Sequence, residues 1–327
     1  MANAKLVGTG RCSPSIHLTN EELSKLLGQP IKPSLEERVG IKARYICSDE
    51  ESSADLGEKA ALEALEDAGM KPEELDLIIV ATDTPEYLSP STAVVIQGRI
   101  KAVNAGVFDL NSSCAGFPTA VDIASAMIAR GDYKNIMVIG VYAMTKYIAK
   151  DDAGLLPIFA DGAGAIILSA TDEDCGFLSS QLIADGTQYD FMGIYAGGTK
   201  MPMTVERIQK GEHRLLSLKP LPGDRNVKLW PPLLEKVTSK AGITIQDVDH
   251  FFFTQINRSV IVEVMNIIGQ PLEKATCIMD EYGYTGSACI PMALDVARKK
   301  GVVKPGDIII MTASGVGFAV ASVAFKL

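Results

Sequence analysis

The stretch "DLIIVAT", residues 76–82, is an aspartate followed by an apolar run rich in β-branched side chains. A run this uniformly apolar suits a strand buried on both faces, the kind found inside a layered α/β protein. Five more runs share its character: "AGVFDL" (105–110), "NIMVIGVY" (135–142), "GAIILSA" (164–170), "HFFFTQI" (250–256) and "DIIIMTA" (307–313). Helical stretches lie between them.

The run also has a counterpart. From Asp76 the chain passes to Asp109 in "FDL", then through a helical pattern ending at Gly131, then into "NIMVIGV". From Asp249 in "DHFFFTQ" it passes to Asp280 in "IMD", through a second helical pattern ending at Gly301, and into "DIIIMTA". The aspartates are 33 and 31 residues apart, and aspartate to glycine spans 22 and 21. Four elements in one order, twice, predict a duplicated α/β unit packed as one body.

Composition sets the limits. The chain has 327 residues, 47% of them hydrophobic, enough for a large core and far too apolar for disorder. A formal net charge of −9 argues against nucleic acid as a partner. No apolar run reaches the roughly 18 residues of a membrane span, and the N-terminal stretch lacks the pattern of a secretion signal. Six cysteines (Cys12, Cys47, Cys114, Cys175, Cys277, Cys289) are scattered with no C-x-x-C pair. That usage predicts free thiols in a reducing cytoplasm, with neither a disulfide framework nor a metal site.

One cysteine stands apart. In "FDLNSSCAGF" (108–117) the strand stops, small polar residues follow, and a helical pattern opens directly after Cys114. Free N–H groups and the dipole at a helix start favour an anion, which lowers a thiol's pKa and can hold a developing oxyanion. The competing reading is a small buried hydrophobe that happens to carry sulfur.

The surroundings of Cys114 carry a resemblance. "SSCAGF", "FADGAGAIILSA" (159–170), "GYTGSACIP" (283–291) and "SGVGFAVASVAF" (314–325), with "ERVGIKARYI" (37–46) and "KPGDIIIMTASGVGF" (304–318), resemble the β-ketoacyl-acyl-carrier-protein synthase III family of the thiolase superfamily. The similarity runs in order along nearly the whole chain. It implies a thiolase-like, five-layered αβαβα fold of two halves, 1–172 carrying the nucleophile and 173–327 carrying the other site positions. It also implies a cytoplasmic homodimer of fatty-acid or polyketide biosynthesis, with no tightly bound cofactor and no metal. Coenzyme A or a carrier protein would bring the acyl thioester as substrate. By resemblance Cys114 takes the acyl group, and the N–H groups of Cys114 and Val316 form the oxyanion hole.

The chain departs from the family at two positions. Where the family has a histidine in "H-Q-A-N" and an asparagine in "G-N-T", this sequence reads "TQIN" (254–257) and "GYT" (283–285), placing Thr254 and Tyr284 there. Both carry hydroxyls able to donate a hydrogen bond, and neither is an efficient base near neutral pH. They either serve a repurposed site or fill space in one that has lost condensation. His250 lies four residues before Thr254 on one strand, about 13 Å away, while His17 and His213 sit in polar stretches. Among coenzyme A contacts, Arg38 and Asn257 occupy family positions, whereas Ser34 and Ala153 replace a tryptophan and an arginine. Arg258 and Lys210 are candidates to meet an acidic carrier, and Met192, Met201 and Met203 to form a pocket wall or a dimer contact.

Two functions remain in view. The first is a synthase III-like acyltransferase working through an acyl-Cys114 thioester, with condensation altered or specialised. The second is a non-condensing auxiliary or acyl-binding subunit. A classical thiolase would need a second cysteine where Ser314 stands, and an α/β-hydrolase would need a G-x-S-x-G that is missing.

Overall fold

The computed structural model describes residues 3–327. Its strands in the first half are β1 (Asn3–Cys12), β2 (Ile16–Thr19), β3 (Ala43–Ile46), β4 (Leu77–Ala81), β5 (Gly106–Leu110), β6 (Asn135–Tyr142) and β7 (Gly162–Thr171). In the second half they are β8 (Gly176–Ala184), β9 (Met192–Gly193), β10 (Leu216–Ser217), β11 (His250–Phe253), β12 (Ile308–Ser314) and β13 (Ala319–Lys326). The helices that matter for the site are α1 (Asn20–Leu27), α2 (Ser53–Ala68), α3 (Thr92–Ile100), α4 (Gly116–Ala129), α5 (Val205–Gln209), α6 (Arg225–Lys240), α7 (Arg258–Ile267), α8 (Met279–Tyr282) and α9 (Cys289–Lys299).

Two large sheets form, in the orders β1-β7-β6-β4-β5 and β11-β12-β13-β8, beside two small two-stranded ones, β2-β3 and β10-β9. Helices α4 and α9 each touch both sheets and lie between them. Helices α2 and α3 cover the outer face of the first sheet, and α6, with α7 against it, covers the outer face of the second. The result is five layers, αβαβα, as the family resemblance implies. The buried positions explain why the runs are so apolar: all five residues of β4 are buried, because helices cover both faces of the sheet.

The repeated aspartates have a physical role. The Asp76 carboxylate accepts from the Asn135 N–H at 2.9 Å while its own N–H donates to the Asn135 carbonyl. The Asp249 carboxylate accepts from the Ile308 N–H at 2.9 Å, and its N–H donates to the Ile308 carbonyl. Each aspartate clamps the first residue of the neighbouring parallel strand, β6 in one half and β12 in the other.

The halves are not identical. Where β5 pairs along β4 in the first sheet, the second has only an isolated parallel bridge between Phe251 and Ala275. The chain near "IMD" turns instead into the short helix α8. The run "HFFFTQI" also ends early, at Phe253, because the chain leaves the sheet to enter α7, whose N-cap is Asn257. No helix among the described residues is long and apolar enough to cross a membrane.

Candidate active site

Parallel strands deliver the residues that follow them to one edge of the sheets, where α/β proteins form their clefts. Here a cavity of about 220 Å³ opens at that edge. Asp83 follows β4, Cys114 follows β5, Tyr142 ends β6, and Gly315 and Val316 follow β12; all line it. Tyr284, Arg225 and Asn226 complete the polar part of the wall, and Phe159, Met192, Ile194 and Leu215 supply apolar surface.

Cys114 is held by a tight turn. The Asn111 carbonyl oxygen of the side chain accepts from the Ser113 N–H at 3.0 Å, and Ser113 adopts a left-handed φ of 47°. A non-glycine residue in that region is uncommon and marks a constrained turn. The turn then enters α4, with Ala115 as N-cap. The Gly315 turn packs directly on it: a Cβ at Gly315 would stand 2.8 Å from the Ser112 carbonyl oxygen and 3.1 Å from the Cys114 nitrogen. Only glycine permits that approach of the turn after β12 to the backbone around Cys114. The Val316 N–H takes no part in the hydrogen bonding of its own turn.

The electrostatics of Cys114 differ from the helix-start expectation. The side chain is 5% exposed, and burial pushes the thiol far above its ordinary value, reinforced by the charge of Asp83. The Tyr284 hydroxyl and the residue's own N–H act against this without reversing it. Desolvation outweighs the helix dipole here, because the dipole acts on a thiol with little water around it.

Tyr284 is buried with its ring 5.5 Å from Phe159 and 6.3 Å from Tyr142. Its backbone is fixed by bonds to Ile158 and Ala160. Thr254 is placed differently. It is buried, does not line the cavity, and its hydroxyl oxygen accepts from the Ser314 N–H at 2.9 Å. The Ser314 hydroxyl in turn accepts from the Trp230 indole at 2.7 Å. Of the "TQIN" residues it is Ile256 that reaches the wall.

The remaining expected residues lie outside the cavity. Arg38 is exposed in the single turn 35–39, and Asn257 caps α7 through a side-chain oxygen that accepts from Ser259. Met192 lines the cavity but Met201 and Met203 do not. Lys210 pairs with Glu206, while Arg258 is exposed. None of the histidines reaches the cavity: His17 packs tilted against the Tyr45 ring, His250 pairs with Asp307 at 3.2 Å, and His213 lies by Lys146 and Ile148.

Two cavity residues escape the sequence reading. Asp83 carries an enclosed oxygen, Oδ1, with no partner, and burial raises its carboxyl to about 6. Arg225 stands at the start of α6 with its guanidinium 5.1 Å from the Phe318 ring. In the sequence each is one more surface-type residue in a loop. Among the described residues, no cluster of side chains suited to a metal ion occurs.

The chain's likenesses to known proteins fall on this same scaffold. Residues 108–186 match the family 3-oxoacyl-[acyl-carrier-protein] synthase III, and residues 238–327 match its C-terminal counterpart. A β-ketoacyl-[acyl-carrier-protein] synthase III of Clostridium acetobutylicum is 37% identical, covering 100% of this chain and 99% of that protein. The crystal structure of the 3-oxoacyl-[acyl-carrier-protein] synthase III of Aquifex aeolicus superposes with a TM-score of 0.88 at 32% identity, covering 99% of this chain and all of that one. A priming β-ketosynthase of a polyketide biosynthetic pathway does so with a TM-score of 0.89 at 27% identity, over 99% of this chain and 96% of its own.

Proposed function

Since the chain belongs to the 3-oxoacyl-[acyl-carrier-protein] synthase III family and is an acyl-transferring enzyme of that kind, we propose that its acyl group passes through a thioester on Cys114. The observation that carries this reading is the packing of the Gly315 turn on the Cys114 turn. It supports an oxyanion hole made of the Cys114 and Val316 N–H groups, beside a sulfur that lines the cavity. The acyl donor is a thioester of coenzyme A or of an acyl-carrier protein, which enters and leaves as substrate. Arg38 and Asn257 are the proposed coenzyme A contacts.

Asp83 is the proposed proton carrier. Among the cavity side chains it is the carboxyl raised toward neutrality, while burial drives the Tyr142 and Tyr284 hydroxyls further from titration. The Cys114 sulfur bonds to the donor carbonyl and the donor C–S bond breaks. The thiol proton moves to Asp83 and on to the departing thiolate.

Condensation is specialised in this reading. Thr254 and Tyr284 stand where the family has histidine and asparagine. The Thr254 oxygen is already engaged by the Ser314 N–H, so it offers the cavity no replacement for the imidazole. Replacing one good oxyanion donor costs on the order of 10² to 10³ in rate. Wild type should therefore load acyl groups yet condense them slowly with a malonyl thioester. Thr254→His with Tyr284→Asn should raise that condensation at least about tenfold. Ordinary turnover by wild type, about 1 per second or faster, would refute this part.

The raised thiol favours one second reading, an acyl-binding subunit that does not turn over. Single-turnover loading of Cys114 separates the two. The division into halves 1–172 and 173–327 belongs to the same proposal, as does a homodimer formed along the edge strand β5.

A further inference from the structure

The cavity beside Cys114 carries an arginine, Arg225, with no carboxylate partner among the described residues. Most other arginines of this chain are spent on partners. Arg11 pairs with Asp295, Arg99 with Asp55, Arg130 with Asp132, Arg207 with Glu212 and Arg298 with Asp67. Arg44, fully buried, donates to Asn20 and to the Leu18 and Pro157 carbonyls. Arg38, Arg214 and Arg258 lack a carboxylate but stand exposed to solvent. Arg225 is the exception: partly buried, and without a carboxylate among the described residues.

Its setting is built. The guanidinium packs 5.1 Å from the ring of Phe318, a residue held at a left-handed φ of 58° in the loop that follows Val316. Its Nη1 is enclosed and finds no acceptor, and the Oδ1 of the adjacent Asn226 is enclosed and finds no donor. Asp83 lines the same cavity but does not pair with it. Tyr284 and Cys114 line the same cavity as the guanidinium, so a group bound there meets both the arginine and the sulfur. Burial of an unpaired guanidinium is costly, and a carboxylate is the group that meets its planar fork with paired hydrogen bonds. Neutral amides of a carrier arm would leave the charge unmatched.

We propose that Arg225, with Asn226 beside it, forms a carboxylate subsite of this cavity, so that the acyl group loaded onto Cys114 is a short carboxyacyl chain. The inference rests on the reading of Cys114 as the acyl-bearing residue. A cavity of about 220 Å³ suits a chain of a few carbons. In the loading step the Cys114 S–C bond forms, the donor S–C bond breaks, and the thiol proton ends on the released thiol. The carboxylate is unchanged, and its pairing with Arg225 opposes its loss as carbon dioxide.

The test compares two thioesters of equal carbon number, succinyl- and butyryl-coenzyme A, in single-turnover loading read as added mass on Cys114. Wild type should load the succinyl group at least about tenfold faster at low concentration, and Arg225→Gln should abolish that preference. Equal loading of both by wild type overturns the proposal. So does a preference that Arg225→Gln leaves intact. A second measurement needs no acyl transfer. Iodoacetate and iodoacetamide differ by one carboxylate, and their relative alkylation of Cys114 is read by peptide mass against Cys277 in the same sample. Arg225→Gln should lower the iodoacetate preference at Cys114 at least about fivefold and leave that at Cys277 unchanged. If neither thioester loads but this ratio falls, the carboxylate subsite stands and the acyl-transfer reading fails. If loading succeeds and the ratio does not move, the subsite is wrong and the transfer reading stands.

Discussion

Cys114 and Asp83 share a cavity that takes both away from water, and burial moves both upward in pKa. For Asp83 this has a consequence in stability. Its carboxyl rises from 3.8 to about 6, so the folded protein holds that proton more tightly than the unfolded chain does. The stabilisation is complete below the unfolded value and is lost as pH climbs through the folded one. Asp83→Asn should therefore be more stable than wild type at pH 8 by about 1–3 kcal/mol, with the difference gone below about pH 4. Urea melts across that range check it, and equal stability at pH 8 contradicts it. The same variant should lose an inflection near pH 6 in the rate of acyl loading and load about 100-fold more slowly; an unchanged profile removes Asp83 as proton carrier. Cys114 is legible in the sequence because a strand end, small residues and a helix start announce a tight turn. Asp83 and Arg225 are not. Their significance lies in having no partner, and a missing partner shows only once distant segments have folded around them.

At the scale of elements, the two aspartate clamps explain a spacing that the sequence displays without explaining. Asp76 and Asp249 each hold a parallel strand at its first residue. Asp76→Ala and Asp249→Ala should each cost about 1–3 kcal/mol, and the double variant should show the sum because the clamps sit in different sheets. Thermal or urea unfolding of the set measures this, and strong non-additivity would mean that the halves are not independent at these positions. The fully buried strands β4 and β6 are readable as apolar runs. Strand β8 is not, since many of its residues are half-buried or exposed and its pattern is broken. The end of β11 is misjudged for a related reason: Thr254 and Gln255 are as buried as a strand interior although the chain has already turned toward α7.

At the scale of the whole molecule, the edge of the first sheet at β5 stands open and apolar. Strand β5 ends the first sheet with Val107, Phe108 and Leu110 only half-buried, and Tyr87 and Leu88 are exposed beside it at 54% and 84%. An open apolar edge invites a second strand. The protein should sediment at twice the 34.9 kDa chain mass, and Val107→Arg should shift it toward the monomer; a wild-type monomer at micromolar concentration contradicts the dimer. The turn after β5 and the turn after β12 pack together at Cys114, and acyl transfer through that sulfur is the central claim. Intact-protein mass spectrometry after incubation with acyl-coenzyme A and acyl-carrier-protein thioesters should show one acyl group added per chain to wild type and none to Cys114→Ala. An adduct that survives in Cys114→Ala, or a correctly folded wild type that gains no acyl mass from any of these donors, would contradict it.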